Sequence, residues 1–280
     1  MLLSIAIPDS LFIDETILRE KTAKIGAIAR SASIFGVERI YIYRDATRNY
    51  DREYETARVL LEYEETPQYL RKLLIPKSPD LEFAGILPPL RTPHHPKGPN
   101  LVSGEVREAA LVEQNGEIRA YVGVRELALY EGRGQAGNRV TVKIASMKPL
   151  KVSEVQKQSD QRYWGYEVRR APTLTRFLRS ANFELIVLTS RKGQMIQEKW
   201  DEIQSRFARA QRVLLCFGSP ELGIDSMLKQ DSTTVLDFPK SLYLNTIPFQ
   251  NVETVRLEEA ILATLSIVNV VRRLSQFLVS

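Results

Sequence analysis

The 280-residue sequence has one cysteine, Cys216, and two histidines, His94 and His95. A single thiol cannot form an internal disulfide, and so few thiols and imidazoles argue against a Cys/His metal site. Long hydrophobic runs are also missing. The longest apolar stretch, Ala260 to Val271, is interrupted by Thr264, Ser266 and Asn269. It falls short of the roughly 18–20 residues a membrane helix needs, so a buried or dimer-interface helix is expected and a membrane partner is not. The segment Met1–Pro8 is apolar but has no basic flank and runs into Asp9. It reads as a buried strand rather than a secretory signal, and a cytoplasmic protein is expected. No Walker A sequence and no Ser-His-Asp arrangement occur. Both histidines lie in a proline run, where loop packing or substrate contact is expected in place of general-base catalysis.

What remains is an ordinary globular composition, 44% hydrophobic and 26% charged. The length suits two domains, or one domain with an insertion. The net charge is +5, and it is unevenly placed: residues 90–170 hold 14 Lys/Arg and 9 Asp/Glu, which leaves 25 of each in the rest of the chain. Arginines outnumber lysines 26 to 13. A planar guanidinium suits bidentate phosphate contacts and base stacking, so RNA is the expected partner, although Arg-rich surfaces also serve solubility and ion-pair networks.

The first 75 residues alternate strand and helix: a strand at Leu2–Ile7, a helix carrying Ile17, Ile25, Ile28, Ala32 and Phe35, a strand at Arg39–Tyr43, then helices at Asp51–Tyr63 and Pro67–Leu74. Thr66-Pro67 reads as the cap and first turn of the last. Seven of the fourteen prolines then fall between Pro76 and Pro99, which marks a linker or a loop packed along a site. From Leu101 to about Ser146 the hydrophobic period becomes two, with Asn115-Gly116 as a hairpin turn between Glu105–Glu113 and Glu117–Gly123. Strands at Glu126–Tyr130 and Asn138–Ala145 would complete a four- or five-stranded barrel of the oligonucleotide-binding kind, on the segment that carries the basic excess. Beyond residue 165 come helix Thr173–Ser180, strand Glu184–Thr189, helix Gln194–Gln211, strands Val213–Phe217, Thr233–Phe238 and Leu242–Leu244, and the long helix Leu257–Leu278. The expected fold is therefore an α/β domain of residues 1–88 and 165–280, interrupted by a small all-β barrel of residues 89–164.

Gly132-Arg133-Gly134-Gln135-Ala136-Gly137 matches the dinucleotide fingerprint in letters, but that fingerprint works only where a helix N-terminus comes next. Here Asn138–Ile144 alternates as a strand, so the glycines read as a barrel loop. Three C-terminal segments share another form, a strand ending in a small-residue loop: Leu185–Gly193, Val213–Ile224 and Leu244–Thr254. The carboxyl ends of strands in open α/β sheets are where ligands bind, and glycines there let backbone amides and carbonyls approach a ligand. Any one such loop is what a strand-to-helix turn needs; three together can enclose one small molecule.

These loops resemble the cofactor site of the SPOUT class of RNA methyltransferases, in which the C-terminal part of an α/β domain is threaded into a trefoil knot around S-adenosylmethionine. Phe217-Gly218-x4-Gly223-Ile224 resembles the second motif of that class, and Asn245-Thr246-Ile247-Pro248 with Val252-Glu253-Thr254-Val255 resembles the third. Ile7-Pro8-Asp9-Ser10, Lys21-Thr22-x2-Ile25-Gly26-x-Ile28-Ala29-Arg30, Gly85-Ile86-Leu87-Pro88-Pro89-Leu90 and the inserted barrel resemble one archaeal and eukaryotic subgroup, associated with uridine N3 methylation of ribosomal RNA.

The resemblance implies that S-adenosylmethionine is held around Thr189, Cys216, Gly218, Gly223, Asn245, Ile247, Pro248, Val252 and Thr254. It implies a homodimer, with Arg30 on the first helix reaching the substrate, often of the partner subunit, as the first candidate for catalysis. Glu253 and Arg256 are further catalytic candidates, because Thr254-Val255-Arg256 stands where the better-known branch of the class has Ser-Leu-Asn. On the barrel and its approach, Arg91, Arg107, Arg119, Arg133, Arg139 and Lys143 are expected to meet RNA. The alternative reading is a non-catalytic RNA-binding or ribosome-assembly factor that keeps the fold. A nucleotide-dependent oxidoreductase built on Gly132–Gly137 is a third.

Overall fold

The computed structural model describes residues 1–96, 98–157 and 162–277. Strand β1 (Leu2–Pro8) lies between β2 (Val37–Arg44) and β10 (Arg212–Cys216), and the full order of the six-stranded sheet is β11-β9-β10-β1-β2-β8. The outer strands are β9 (Leu185–Met195), β11 (Ser241–Asn245) and β8 (Glu167–Thr173). Every pair in the sheet is parallel. Central parallel strands are covered on both faces and so carry unbroken apolar runs; Val213 through Cys216 and Ile5 through Ile7 are fully buried for this reason.

Helix α1 (Leu18–Ile34) and helix α7 (Leu257–Phe277) pack against each other. Three of their polar residues have hydrogen-bond partners. Thr22 and Ser31 donate back to the carbonyls of Leu18 and Ala27, each at 2.8 Å, and Thr264, which breaks the apolar run of α7, meets Thr246 at 2.7 Å between hydroxyls. Gly26 has a positional reason as well: a Cβ there would lie 2.7 Å from the Pro88 ring. The α1 segment around Gly26 and the Leu87-Pro88 pair thus fit against each other. The Asp9-Ser10 pair closes the ends of β1 and β2, where Asp45 donates its N–H to Asp9 and Ser10 donates to Asp45 at 2.6 Å. Burial pushes the Asp9 carboxyl up to about 6.

Several elements differ from the sequence expectation. Helix α2 (Asp51–Glu65) runs past Tyr63, and Thr66 donates its hydroxyl back to Glu62 instead of capping a new helix, so that helix α3 shrinks to Arg71–Leu74. The expected helix at Gln194 starts at Trp200 as α5 (Trp200–Arg209), because β9 continues to Met195 to pair with β11. Thr233–Phe238 is not a strand; Thr234 and Asp237 form a capping box around one tight turn. Strand β8, helix α4 (Leu174–Ser180, expected one residue longer) and helix α6 (Ile224–Gln230, not foreseen) complete this part, and Leu278 lies outside the described residues. Among the described residues no helix is long and apolar enough to cross a membrane.

The chain divides into two compact units. One holds Met1–Leu61, Phe83–Pro88 and the part from Tyr166 on; the other holds Glu62–Glu82 and Pro89–Gly165. Residues 62–82, assigned to the α/β part on sequence, therefore belong with the barrel. The barrel is closed, in the order β3-β4-β5-β7-β6. Its strands are β3 (Val106–Gln114), β4 (Glu117–Tyr121), β5 (Ala128–Glu131), β6 (Arg139–Met147) and β7 (Leu150–Glu154). Asn115 and Gly116 both have positive φ, 53° and 79°, as a two-residue hairpin turn requires. Strand β6 begins two residues after Gly137, so no helix succeeds the Gly132–Gly137 loop. The expectation of a four- or five-stranded barrel does not locate the fifth strand, β7; it pairs with both β5 and β6 and closes the cylinder.

The barrel unit contains a buried charged network. Arg139 donates through Nε to Glu108 at 2.6 Å and through both terminal nitrogens to Glu65, while Thr141 and Trp164 donate to the other Glu108 oxygen. His94 and His95 donate to the Glu65 carbonyl at 3.1 and 2.8 Å, so the histidine pair packs inside the unit. Burial pushes the Glu65 carboxyl up, but Arg139 and the His94 hydrogen bond outweigh it and hold it down at about 2.

Two basic residues expected on an RNA surface are engaged within the unit instead. Arg139 is engaged by two carboxylates, and Arg107, only 4% exposed, bonds Glu105 and the carbonyls of Val122 and Asn100. Arg119 pairs with Glu117 at 2.6 Å. Arg91, Arg133 and Lys143 are exposed.

These contacts make the network testable in two ways. Replacing Arg139 by Met strands two buried carboxylates, and equilibrium unfolding is expected to show a loss of about 3–5 kcal/mol. The depressed Glu65 contributes stability that is complete above its unfolded value of 4.5 and lost as pH falls through that value toward 2. Thermal midpoints measured between pH 5 and 2 should fall less steeply in Glu65→Gln than in the parent.

Candidate active site

The C-terminal ends of β9, β10 and β11 converge on a cleft of about 390 Å³, within the range of small-molecule sites. The β9–β11 ladder makes it possible. Tyr243 pairs with Leu188, but the next residue, Leu244, pairs with Gln194, so residues 189–193 bulge out of the ladder within β9 as an unpaired loop-like excursion. The loop returns at Gly193, where a Cβ would lie 2.4 Å from the Leu244 carbonyl carbon and 2.7 Å from the Asn245 nitrogen. Only a residue without a side chain permits that approach.

Polar contacts then tie the three loops together. Thr189 donates its hydroxyl to the Cys216 carbonyl at 2.8 Å, and Asn245 donates its side-chain amide to the Arg191 carbonyl at 3.2 Å. Arg191 in turn donates to the Glu253 carbonyl at 3.0 Å, and Lys192 pairs with Asp225 at 3.2 Å. In the middle loop, Leu222 donates its N–H to the Ser219 hydroxyl at 2.9 Å while the Ser219 N–H donates to the Leu222 carbonyl. A Cβ on Gly218 would stand 3.0 Å from that same carbonyl. Tyr43, buried beneath the sheet end, fixes the Phe217 carbonyl by donating to it at 2.7 Å.

Of the residues expected around a cofactor, Thr189, Gly218, Gly223, Asn245, Ile247 and Thr254 line the cleft, together with Glu253 and Arg256. Cys216, Pro248 and Val252 do not. The Cys216 side chain points into the core, where burial pushes its thiol up, and the residue reaches the site only through its carbonyl. Arg30, half-buried on α1, is outside the lining of this cleft in the single chain. Sequence reasoning missed Asp14, which arrives from the β1–α1 connection, and Arg191 and Lys192, which sit inside the Leu185–Gly193 segment. Basic side chains within a small-residue loop could have flagged the latter two; nothing local marks Asp14.

The walls combine small residues such as Gly218, Gly223 and Ser219 with seven charged ones, Asp14, Arg191, Lys192, Glu221, Asp225, Glu253 and Arg256. Such a lining accommodates a neutral ring system against backbone amides and carbonyls, with a zwitterionic tail near the charges. Among the described residues no group of His, Cys, Asp or Glu is arranged to hold a metal ion.

Residues 2–268 match the family described as "Putative RNA methyltransferase". An uncharacterized protein of Halobacterium salinarum is 32% identical over 94% of this chain and 96% of its own length. A Mus musculus protein named 28S rRNA (uridine-N(3))-methyltransferase is 30% identical over 94% of this chain and 75% of its own length. The Drosophila melanogaster protein of the same name is 29% identical, and the match spans 61% of it. With the match running through both units and all three cleft loops, the chain belongs to this family of RNA methyltransferases.

Proposed function

We propose that the protein methylates N3 of a uridine in ribosomal RNA with S-adenosylmethionine as donor. The observation that carries this reading is the cleft at the ends of β9, β10 and β11, built from the loops that resemble a SPOUT cofactor site. S-adenosylmethionine supplies an electrophilic methyl group on a sulfonium. The chain's own residues do the rest: Gly218 and Gly223 bring backbone close to the adenosine, Asn245 and Ile247 shape the opposite wall, and Lys192 and Asp225 suit the amino-acid tail. Arg191 bonds Glu253 and accepts from Asn245, contacts that a knotted course of the chain, as in that class, would make.

Uridine N3 carries a proton that must leave, and negative charge then develops on O2 and O4. A guanidinium beside those oxygens lowers the barrier electrostatically. Arg256 lines the cleft already, and Arg30 would join it from a second copy of the chain. Leu262 and Val270, about half exposed on α7, are consistent with such a homodimer. The five-stranded barrel, with the strand order of an oligonucleotide-binding fold, would hold the RNA through Arg91, Arg133 and Lys143.

Calorimetric titration with S-adenosylmethionine and S-adenosylhomocysteine should give micromolar binding at one site per subunit. Absence of binding by both, in a folded sample, would favour a non-catalytic RNA-binding role. The double variant Arg133→Glu/Lys143→Glu should weaken RNA binding at least about fivefold and reduce its salt dependence, each lost phosphate contact removing roughly one unit of slope. Its affinity for S-adenosylhomocysteine should be unchanged; unaltered RNA binding would remove the barrel from the interface.

A further inference from the structure

A second cavity, of about 370 Å³, adjoins the cofactor cleft: Asp14 and Arg256 line both. Its walls come from α1 and from the start of α7. On α1, Ala23 and Ala27 are one helical turn apart and leave the space open. Beside them Lys24, 4% exposed, donates to both oxygens of Glu15 at 2.8 Å. From α7 comes Glu258. Its Oε2 is 3.6 Å from the Lys24 ammonium, close enough for an ion pair but too far for a hydrogen bond, and this buried oxygen has no hydrogen-bond partner. The start of α7 is fixed, since the Arg256 N–H donates to Glu259 at 2.9 Å in the manner of a capping box. That cap sets the direction in which Glu258 leaves the helix.

An acceptor held in a cavity next to a methyl-donor site, with no donor of its own, calls for a ligand that brings one. Carboxylates on both walls repel a phosphate but suit the N–H of a neutral base. Resting on the methyltransferase reading above, we infer that this cavity seats the target uracil and that Glu258 is the group that takes its N3 proton. In the step, the N3–H bond breaks and its proton passes to the Glu258 carboxylate. The N3 electron pair forms the new bond to the methyl carbon, and the carbon–sulfur bond breaks with its electrons going to sulfur. Lys24 acts as a positioning residue, holding the Glu258 carboxylate without satisfying its free oxygen. Arg256, at the junction of the two spaces, faces the carbonyl oxygens on which charge develops.

The test uses the full-length protein, transcribed ribosomal RNA, and the same RNA made with 5-fluorouridine, whose N3–H is the stronger acid. Glu258→Gln should lower kcat on the uridine RNA by about 100-fold or more, the usual range for a lost general base. On the fluorinated RNA most of that loss should be recovered, which a merely structural role would not produce. Its S-adenosylhomocysteine affinity should stay at the parent value. Ala27→Phe, which fills the cavity from α1, should raise KM for RNA at least about tenfold at unchanged S-adenosylhomocysteine affinity. Equal losses on both RNAs, or full transfer by Glu258→Gln, would overturn the role of Glu258. Unaltered kinetics in Ala27→Phe would overturn the seat. Parent protein that neither binds S-adenosylhomocysteine nor transfers methyl groups would sink the methyltransferase reading, and this inference with it.

Discussion

The cleft depends on one close approach, that of Gly193 to the backbone of Leu244 and Asn245. Because the chain can pass there without a side chain, β9 and β11 pair on both sides of an excursion of residues 189–193 instead of ending at it. The excursion places Thr189 against the Cys216 carbonyl and Arg191 against Asn245 and Glu253, so all three loops are held by one crossing. A larger side chain at 193 would push the strands apart, and the loops would lose their common reference.

The barrel unit shows how charge can mislead when counted along a sequence. Burying a carboxylate is costly unless it is paired and hydrogen-bonded, and Glu65 and Glu108 meet that condition through a single guanidinium. Part of the basic excess of residues 90–170 is therefore spent inside the unit, at Arg107 and Arg139. What is left at the surface is a smaller set, which includes the exposed Arg133 and Lys143. The same network accounts for the histidine pair: His94 and His95 lie against Glu65, and Gly165, with φ +85°, passes where a Cβ would strike Glu65 and His94.

Helices α1 and α7 come from the two ends of the chain, yet they pack against each other and both line the second cavity, which shares Asp14 and Arg256 with the cleft. Residues that no local pattern connects, Asp14, Lys24, Arg256 and Glu258, become neighbours only because β1 occupies the middle of the sheet, beside β10. The small residues of α1 matter on both faces: Gly26 admits Pro88, and Ala23 and Ala27 leave the second cavity open.

Local patterns in the sequence determined the strands β1, β2, β5, β6, β10 and β11, the helices α1, α2, α4 and α7, and the Asn115-Gly116 hairpin, because buried apolar periodicity and turn chemistry act over a few residues. They also marked the three loops, since small residues after a buried strand are a local signal. Tertiary structure alone decided the rest. Thr66 closes one helix instead of opening another because the Glu62 carbonyl is within reach. Strand β9 runs six residues past Thr189 because β11 offers it a partner. Arg107 and Arg139 turn inward because carboxylates and carbonyls await them. Glu258 lines a cavity with residues of α1 because α7 packs against that helix. In each case the deciding partner lies outside the local pattern, and a pattern read along the chain cannot see which groups packing brings together.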